Sequence, residues 1–304
     1  MDKLLAQFLR KAKSNHRVIN AIQIHQKGAL VVDFNRFNDK ERFHSFSASK
    51  SVTAIGVGIA IDEGLLTLDE KIADSFAEYI PANADGKVYD ITVEHLLKMS
   101  CGLKEPLFFF STPERYQIKD WIAHFFAAEF EHQPGTHFLY SNFNAYMLSC
   151  LIEKKCGVNL CAYLEDRLFS PLGIYSPDWF RCPMGHTTGA NGLFLTIDEM
   201  ASFGQLLINQ GSYHGTQLVS QGFMAAATQN QYEEHGPEHG YGYQIWRSND
   251  EQSYHVSGKY GQLIYVLEAE ETVVSVQSLD EQDIESFLWD ELILPLKAYV
   301  NSEN

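Results

Sequence analysis

What is scarce in this sequence narrows it first. The 304 residues contain five cysteines, Cys101, Cys150, Cys156, Cys161 and Cys182. The set is odd and has no C-x-x-C pair, which argues against a disulfide framework or a zinc knuckle and for reduced core thiols. Positive charge is also short, with 23 Lys and Arg against 39 Asp and Glu for a formal charge of −16. Such a surface repels phosphate backbones and anionic lipid, so no nucleic acid and no membrane is expected among its partners. No stretch approaches the roughly 20 apolar residues of a membrane span. Repeats, low-complexity tracts and Pro/Ser linkers are missing too, so a domain boundary must come from a change in secondary-structure texture.

What is there reads as an ordinary globular chain. Apolar residues make up 45% and charged residues 20%, near the averages of folded domains. The length allows two units or one large α/β domain. Near the N-terminus, charges break the apolar positions of Met1 to Lys11 at helical spacing, which predicts an amphipathic helix rather than a secretory signal, and hence a cytoplasmic location.

Texture then changes along the chain. Arg17 to Ile24 and Ala29 to Phe34 are β-branched runs around Gln26-Lys27-Gly28, a predicted hairpin. From Ser47 to Gly64 apolar residues run nearly all round, as in a buried helix with a glycine cap. Helices are expected over Thr92 to Met99, Ile118 to Phe130, Asn144 to Lys155 and Leu160 to Phe169. A further helix (Ile197 to Asn209) precedes strands near Tyr241 to Arg247, Tyr254 to Ser257, Leu263 to Glu268 and Thr272 to Gln277. A final helix, Glu281 to Lys297, closes the chain. The fold class expected is α/β: an antiparallel sheet flanked by N- and C-terminal helices, with an inserted all-helical subdomain. The boundaries expected are 1–75 and 188–304 for the two parts of the α/β domain and 76–187 for the helical unit.

Three short elements carry the chemistry: Ser47-Ala48-Ser49-Lys50, Tyr140-Ser141-Asn142, and Val256-Ser257-Gly258 with Lys259-Tyr260-Gly261-Gln262 after it. Alone, a Ser-x-x-Lys match is commonly an exposed helix start whose serine caps and whose lysine is solvated. The helix after Ser47 is too apolar for that, so its first turn must enter the interior or a cleft. Residues three apart share a helix face, which puts Lys50 beside the Ser47 hydroxyl. Burial and the positive end of the helix dipole both lower a lysine pKa, making a neutral amine available as a base and Ser47 a nucleophile. Ser49 and Ser51 are competing hydroxyls without a lysine at that offset, and are expected to serve packing or local hydrogen bonds.

With these elements in order, the chain resembles the serine β-lactamase and penicillin-binding-protein superfamily, on the branch of class C β-lactamases, D-aminopeptidases and related esterases. The resemblance extends over most of the chain. It includes His95-Leu96-Leu97-Lys98-Met99-Ser100-Cys101-Gly102-Leu103, Pro134-Gly135-Thr136, Pro171-Leu172-Gly173, Gly189-Ala190-Asn191-Gly192-Leu193 and Gly240-Tyr241-Gly242-Tyr243. It implies Ser47 as nucleophile, Lys50 as proton acceptor and Tyr140 as its partner in proton transfer. It implies Asn142 as the residue orienting Lys50 and the acyl group, and the N–H groups of Ser47 and Lys259 as the oxyanion hole. Which of Lys50 and Tyr140 takes the first proton stays open.

The third element departs from the family pattern. Aligning Gly258 with the family glycine puts Val256 where a lysine or histidine usually helps hold a substrate carboxylate. This argues against β-lactamase or carboxypeptidase activity and for a neutral ester or amide. Strand alternation aims His255 to the opposite face from Val256, while Ser257 remains a hydrogen-bond donor. The aromatics Phe108, Phe109, Phe110, Tyr116, Trp121, Phe125 and Phe126 are expected mainly in the core, with some lining an apolar pocket. Twelve histidines raise the question of metal, but Gly236 and Pro237 between His235 and His239 break the helix that would align two ligands. The expectation is therefore a serine hydrolase acting through an acyl-enzyme on a small-molecule ester or amide, with no metal or organic cofactor. An acyltransferase, or a binding or sensing homologue without turnover, is the alternative.

Overall fold

Lys27 and Gly28 both have positive φ, the conformation a two-residue hairpin turn requires, and they join β1 (Ile19–Gln26) to β2 (Ala29–Asn35). The computed structural model describes residues 1–37, 40–107, 115, 117–250 and 252–303. After the hairpin come two-residue strands β3 (Phe43–His44) and β4 (Phe194–Leu195), paired with each other, and a small hairpin of β5 (Ser212–Tyr213) and β6 (Thr216–Gln217). The last four strands are β7 (Trp246–Arg247), β8 (Tyr254–Gly258), β9 (Gln262–Leu267) and β10 (Thr272–Ser278). They join the first hairpin in one six-stranded sheet of order β2-β1-β10-β9-β8-β7, antiparallel throughout.

Alternation along these strands feeds two cores. One face presents Ile22, Ile24, Leu263, Tyr265, Val274 and Val276 to Phe8 of the N-terminal helix Asp2–Ser14 and to Leu288, Leu292 and Leu296 near the C-terminus. The other presents Val256, Ile264, Val266 and Val273 to the main core, with Phe203, Leu206 and Leu207 from the helix Ile197–Ile208. That helix lies close because Gly204 has no side chain; a Cβ there would stand 2.5 Å from Val273 Cγ1. The predicted closing helix is interrupted: Ile284–Leu288, a π-helical stretch Trp289–Ile293, then Leu294–Glu303.

The helical insert centres on Asn142–Cys156, which starts under the Ser141 cap and stops at Gly157 with φ +79°. It packs on the central helix Ser49–Asp62, whose residues from Ser49 to Ala60 are all buried. Several expected elements are shorter than the apolar pattern suggested. The helix sought over Thr92 to Met99 is Val93–Leu97, since Thr92 is its cap and Met99 has φ +61°. That sought over Ile118 to Phe130 is Trp121–Phe126, because Asp120 caps it and Phe130 turns away to bridge with Leu103. Of Tyr241 to Arg247 only β7 is a strand. The Gln244 side chain leaves the sheet to donate to the carbonyls of Leu96 and Leu97, satisfying a helix end. The helix Gln221–Thr228, capped by Ser220, had no strong pattern and was not anticipated. Among the described residues no helix is long and apolar enough to cross a membrane. All five thiols are free; Cys101, Cys150 and Cys182 are buried, but Cys156 and Cys161 only partly so.

Candidate active site

Ser47 does not lie in the α-helix proper. It is the middle residue of a 3-10 turn, Phe46–Ala48, that feeds the helix Ser49–Asp62. The residue before it, Phe46, has φ +49°, a left-handed conformation that costs a non-glycine residue about 1 kcal/mol or more and persists only where neighbours hold it. They do so on several sides. The Phe46 ring lies 4.0 Å from that of His44 and 5.1 Å from that of Tyr260. The Phe46 carbonyl accepts from Ser49 Oγ at 2.7 Å, and Ser49 Oγ lies 3.0 Å from Ser45 Oγ. Ser51 donates to the Gln244 carbonyl at 2.6 Å. Ser49 and Ser51 are thus buried structural hydroxyls, whereas Ser47 is half-exposed.

Lys50 is 1% exposed. Its Nζ donates to Ser47 Oγ at 2.9 Å and to the Ala190 carbonyl at 3.0 Å, and stands 4.8 Å from the centre of the Tyr140 ring. Both of these hydrogen-bond partners are neutral, and burial pushes the ammonium down from the usual 10.5 to about 7. Tyr140 stacks on Trp246 with ring centres 5.5 Å apart and shares a hydrogen bond with Ser47. Burial raises its phenol to about 12; the bond to Ser47 opposes that rise and the charge of Glu285 adds to it. At neutral pH this arrangement holds an amine near its titration point and a protonated phenol on one serine oxygen, a set able to take a proton from the serine and return it.

Asn142, first residue of its helix and 7% exposed, borders a recess of about 310 Å³ with Ala190, Trp121, Phe143, Tyr146 and Phe180 among its walls. Arg115 and Arg181 line it as well. Of the anticipated pocket aromatics, Trp121 reaches this recess, Phe125 and Phe126 are fully buried in the core, and Phe108, Phe109, Phe110 and Tyr116 lie outside the described residues. A second recess of about 420 Å³ takes in Ser47, Tyr140, Trp246, Ser257, Lys259 and Glu285. Since Ala190 borders the first and Ser47 the second, the Lys50 amine that bonds to both stands between them.

Gly258 sets how near β8 comes to the serine. A Cβ on it would lie 2.1 Å from the Ser45 carbonyl oxygen and 3.2 Å from Ala48 N, so only glycine lets the strand rest on the turn. Val256 is fully buried in the core that holds Ala48 and Val52, and brings no charge toward Lys50. His255 does face away from Val256, yet it also borders the second recess. There a chain runs from Ser248 Oγ to His255 Nδ1 (2.9 Å), from His255 Nε2 to Glu285 Oε1 (2.9 Å), and from Ser257 Oγ, as donor, to Glu285 Oε2 (2.8 Å). Glu285 and the Ala190 carbonyl were missed in the sequence; no spacing ties a residue of the closing helix to a strand 28 positions earlier. His235, considered for metal, has its ring parallel to that of His137 at 4.3 Å, which in turn stacks on His132 at 3.7 Å.

The fold is that of the serine β-lactamase and penicillin-binding-protein type. The beta-lactamase family profile matches residues 9–288, and the chain belongs to that family. It is 26% identical over 218 residues to an N-acetylmuramyl-L-alanine amidase of Bacillus subtilis (strain 168), a match covering 53% of this chain and 48% of that protein. The chain thus spans about half, or less, of the curated relatives it matches. Among solved structures, a putative 6-aminohexanoate-dimer hydrolase from Bacillus anthracis superposes with a TM-score of 0.79 at 22% identity, over 93% of this chain and 80% of that one. A family VIII carboxylesterase superposes at 0.73 and 17% identity, over 95% and 96%.

Proposed function

We propose that the protein hydrolyses a small ester or amide through an acyl-enzyme on Ser47. The observation that carries this reading is the 2.9 Å contact between Ser47 Oγ and a buried lysine amine whose pKa lies near 7. In the uncharged form Lys50 accepts the Ser47 proton as the oxygen attacks the carbonyl carbon. The Tyr140 phenol stays protonated up to about 12, so Lys50 is the resting base and Tyr140 the group that passes the proton to the leaving atom. Asn142 orients the acyl group. The N–H groups of Ser47 and Lys259 hold the oxyanion, a reading supported by the close approach of Gly258 to the Ser45–Ala48 turn; one such donor contributes about 3–4 kcal/mol to the transition state. Water activated by the same pair then releases the acid. The steps need no metal or organic cofactor, and the substrate is a small molecule. An amidase and a carboxylesterase among the similar proteins support the choice of ester or amide.

Intact-mass analysis during exposure to an activated ester tests this. The expected result is a transient acyl adduct on Ser47 that is lost by hydrolysis, and no adduct or turnover in Ser47→Ala. A persistent adduct would replace hydrolysis with sensing, transfer to an added alcohol in preference to water would replace it with acyl transfer, and turnover surviving in Ser47→Ala would end the proposal.

A further inference from the structure

The recess on the β8 side of Ser47 carries a carboxylate that the steps above do not use. Glu285 sits in the first turn of Ile284–Leu288 and its side chain is 44% exposed. His255 Nε2 lies 2.9 Å from one oxygen and Ser257 Oγ donates to the other at 2.8 Å. An ionised carboxylate has about four acceptor positions, so these contacts fix its orientation without exhausting it. Burial pushes its pKa up, but the hydrogen bond and charge of His255 and the bond from Ser257 outweigh that and hold it below the usual value. Ser257, having given its single proton to Glu285, offers the recess only lone pairs. The strand residue beside Gly258 and the carboxylate behind it therefore both present acceptors. A ligand group docked there must bring donors or positive charge.

The other charged groups bordering this recess are one carboxylate, Glu238, and two cations, Arg247 and Lys259, so the demand is local to Glu285 and Ser257 and is not a net negative charge of the whole recess. Arg247 Nη1 donates to the Thr228 carbonyl at 2.8 Å, and Lys259 Nζ stands 4.8 Å from the Tyr260 ring centre. His239 and His255 are the remaining titratable neighbours, with Tyr140. The Glu285 charge is felt at the reacting centre, since it is one of the causes, after burial, that raise the Tyr140 phenol. The two recesses also divide the work. A carbonyl carbon on Ser47 extends its acyl chain and its leaving group in different directions, and the recess walled by Trp121, Phe143, Tyr146 and Phe180 suits an acyl chain.

We infer that Glu285, held by His255 and Ser257, is a specificity residue that selects substrates whose leaving group carries a protonated amine. This rests on the acyl-enzyme reading. The bond from Ser47 Oγ to the acyl carbon forms and the bond from that carbon to the leaving oxygen, nitrogen or sulfur breaks. The leaving atom takes the proton that came from Ser47, and the ammonium remains intact against Glu285.

Three butyryl thioesters test it, with leaving thiols that differ in charge: 2-(dimethylamino)ethanethiol, 2-mercaptoethanol and thioglycolate. Thiol release gives kcat/KM, each divided by the thioester's own alkaline hydrolysis rate to remove differences in reactivity. The wild-type protein should prefer the cationic over the anionic ester by about ten-fold or more, a discounted value for an ion contact open to solvent. In Glu285→Gln that ratio should fall below about three-fold. A ratio on one enzyme is unmoved by loss of folded protein, so a merely structural role for Glu285 would leave it intact. A wild-type ratio near one, or a ratio unchanged in Glu285→Gln, overturns the inference while release of mercaptoethanol keeps the hydrolase reading. No release and no Ser47 adduct from any of the three overturns both.

Discussion

Two lysines are largely withdrawn from water in this molecule, and their surroundings are opposite. Lys297, on the C-terminal helix, has a side chain 14% exposed and stands 2.6 Å from Asp250 Oδ2 and 3.3 Å from Glu270 Oε2. Lys50, 1% exposed, donates to a serine hydroxyl and a main-chain carbonyl. Burying an ammonium is costly unless an anion compensates, and where none does the group gives up its proton instead. The helix end is therefore a place where a charge is kept to tie Lys297 to the segment around Asp250, and the cleft a place where charge is made easy to lose. On the acyl-enzyme reading proposed above, two lysines of equal chemistry become an anchor and a base because carboxylates were placed beside one and withheld from the other.

The largest expected effect separates the two in activity. Lys50→Met should reduce turnover by about 10³-fold, the range general-base removal covers. Its stability at neutral pH should not fall but rise, because the lost bond to the Ala190 carbonyl is more than offset by no longer burying an amine that must give up its proton. Esterase assay and urea denaturation of the same preparation give both numbers. Near-normal turnover in this variant would mean that Tyr140, or another group, is the base.

Lys297→Met should do the reverse. It strands Asp250 and the 3% exposed Glu270 carboxylate without their cation, and breaking a buried pair from one side costs about 3–5 kcal/mol. Partial exposure of Asp250 brings the expectation to about 2–3 kcal/mol. Activity of the folded fraction should be retained. Equal stability of the two variants would erase the distinction.

The distinction was half legible in the sequence. The offset of three between Ser47 and Lys50 and the unbroken apolar helix after them sufficed to put the amine beside the hydroxyl in a dry place. They could not say which of Lys50 and Tyr140 holds the proton, because that depends on what else reaches the amine, and the Ala190 carbonyl arrives from 140 positions away. Period-two alternation correctly separated Val256 from His255 but not the consequence. Both faces of β8 matter, one as core beneath the lysine and one as wall of the second recess. The main strands and the terminal helices followed from patterning, whereas the order of the strands in the sheet did not, and Phe46 in the left-handed region left no mark, since nothing local favours it. It is held by His44, Tyr260 and Ser49.

The smallest expected effect, at most about 1.4 kcal/mol for each pH unit, is a slope in stability against pH. Lys50 titrates near 7 when folded and near 10.5 when unfolded, so between those values the unfolded chain binds more protons and stability from this group rises with pH. Below about 7 both states are protonated and the full cost of the buried ammonium is present; above about 10.5 it is gone. Lys50→Met has no such contribution, while the tyrosines and the other lysines titrate alike in both proteins. The difference in unfolding free energy, wild type minus variant, should therefore climb between pH 6 and pH 9.5. Turnover by the wild type should rise with a midpoint near 7 over the same span, as neutral amine becomes available. Parallel stability curves for the two proteins would mean that the Lys50 ammonium is compensated after all, and Lys50 would then belong with Lys297 as an anchor.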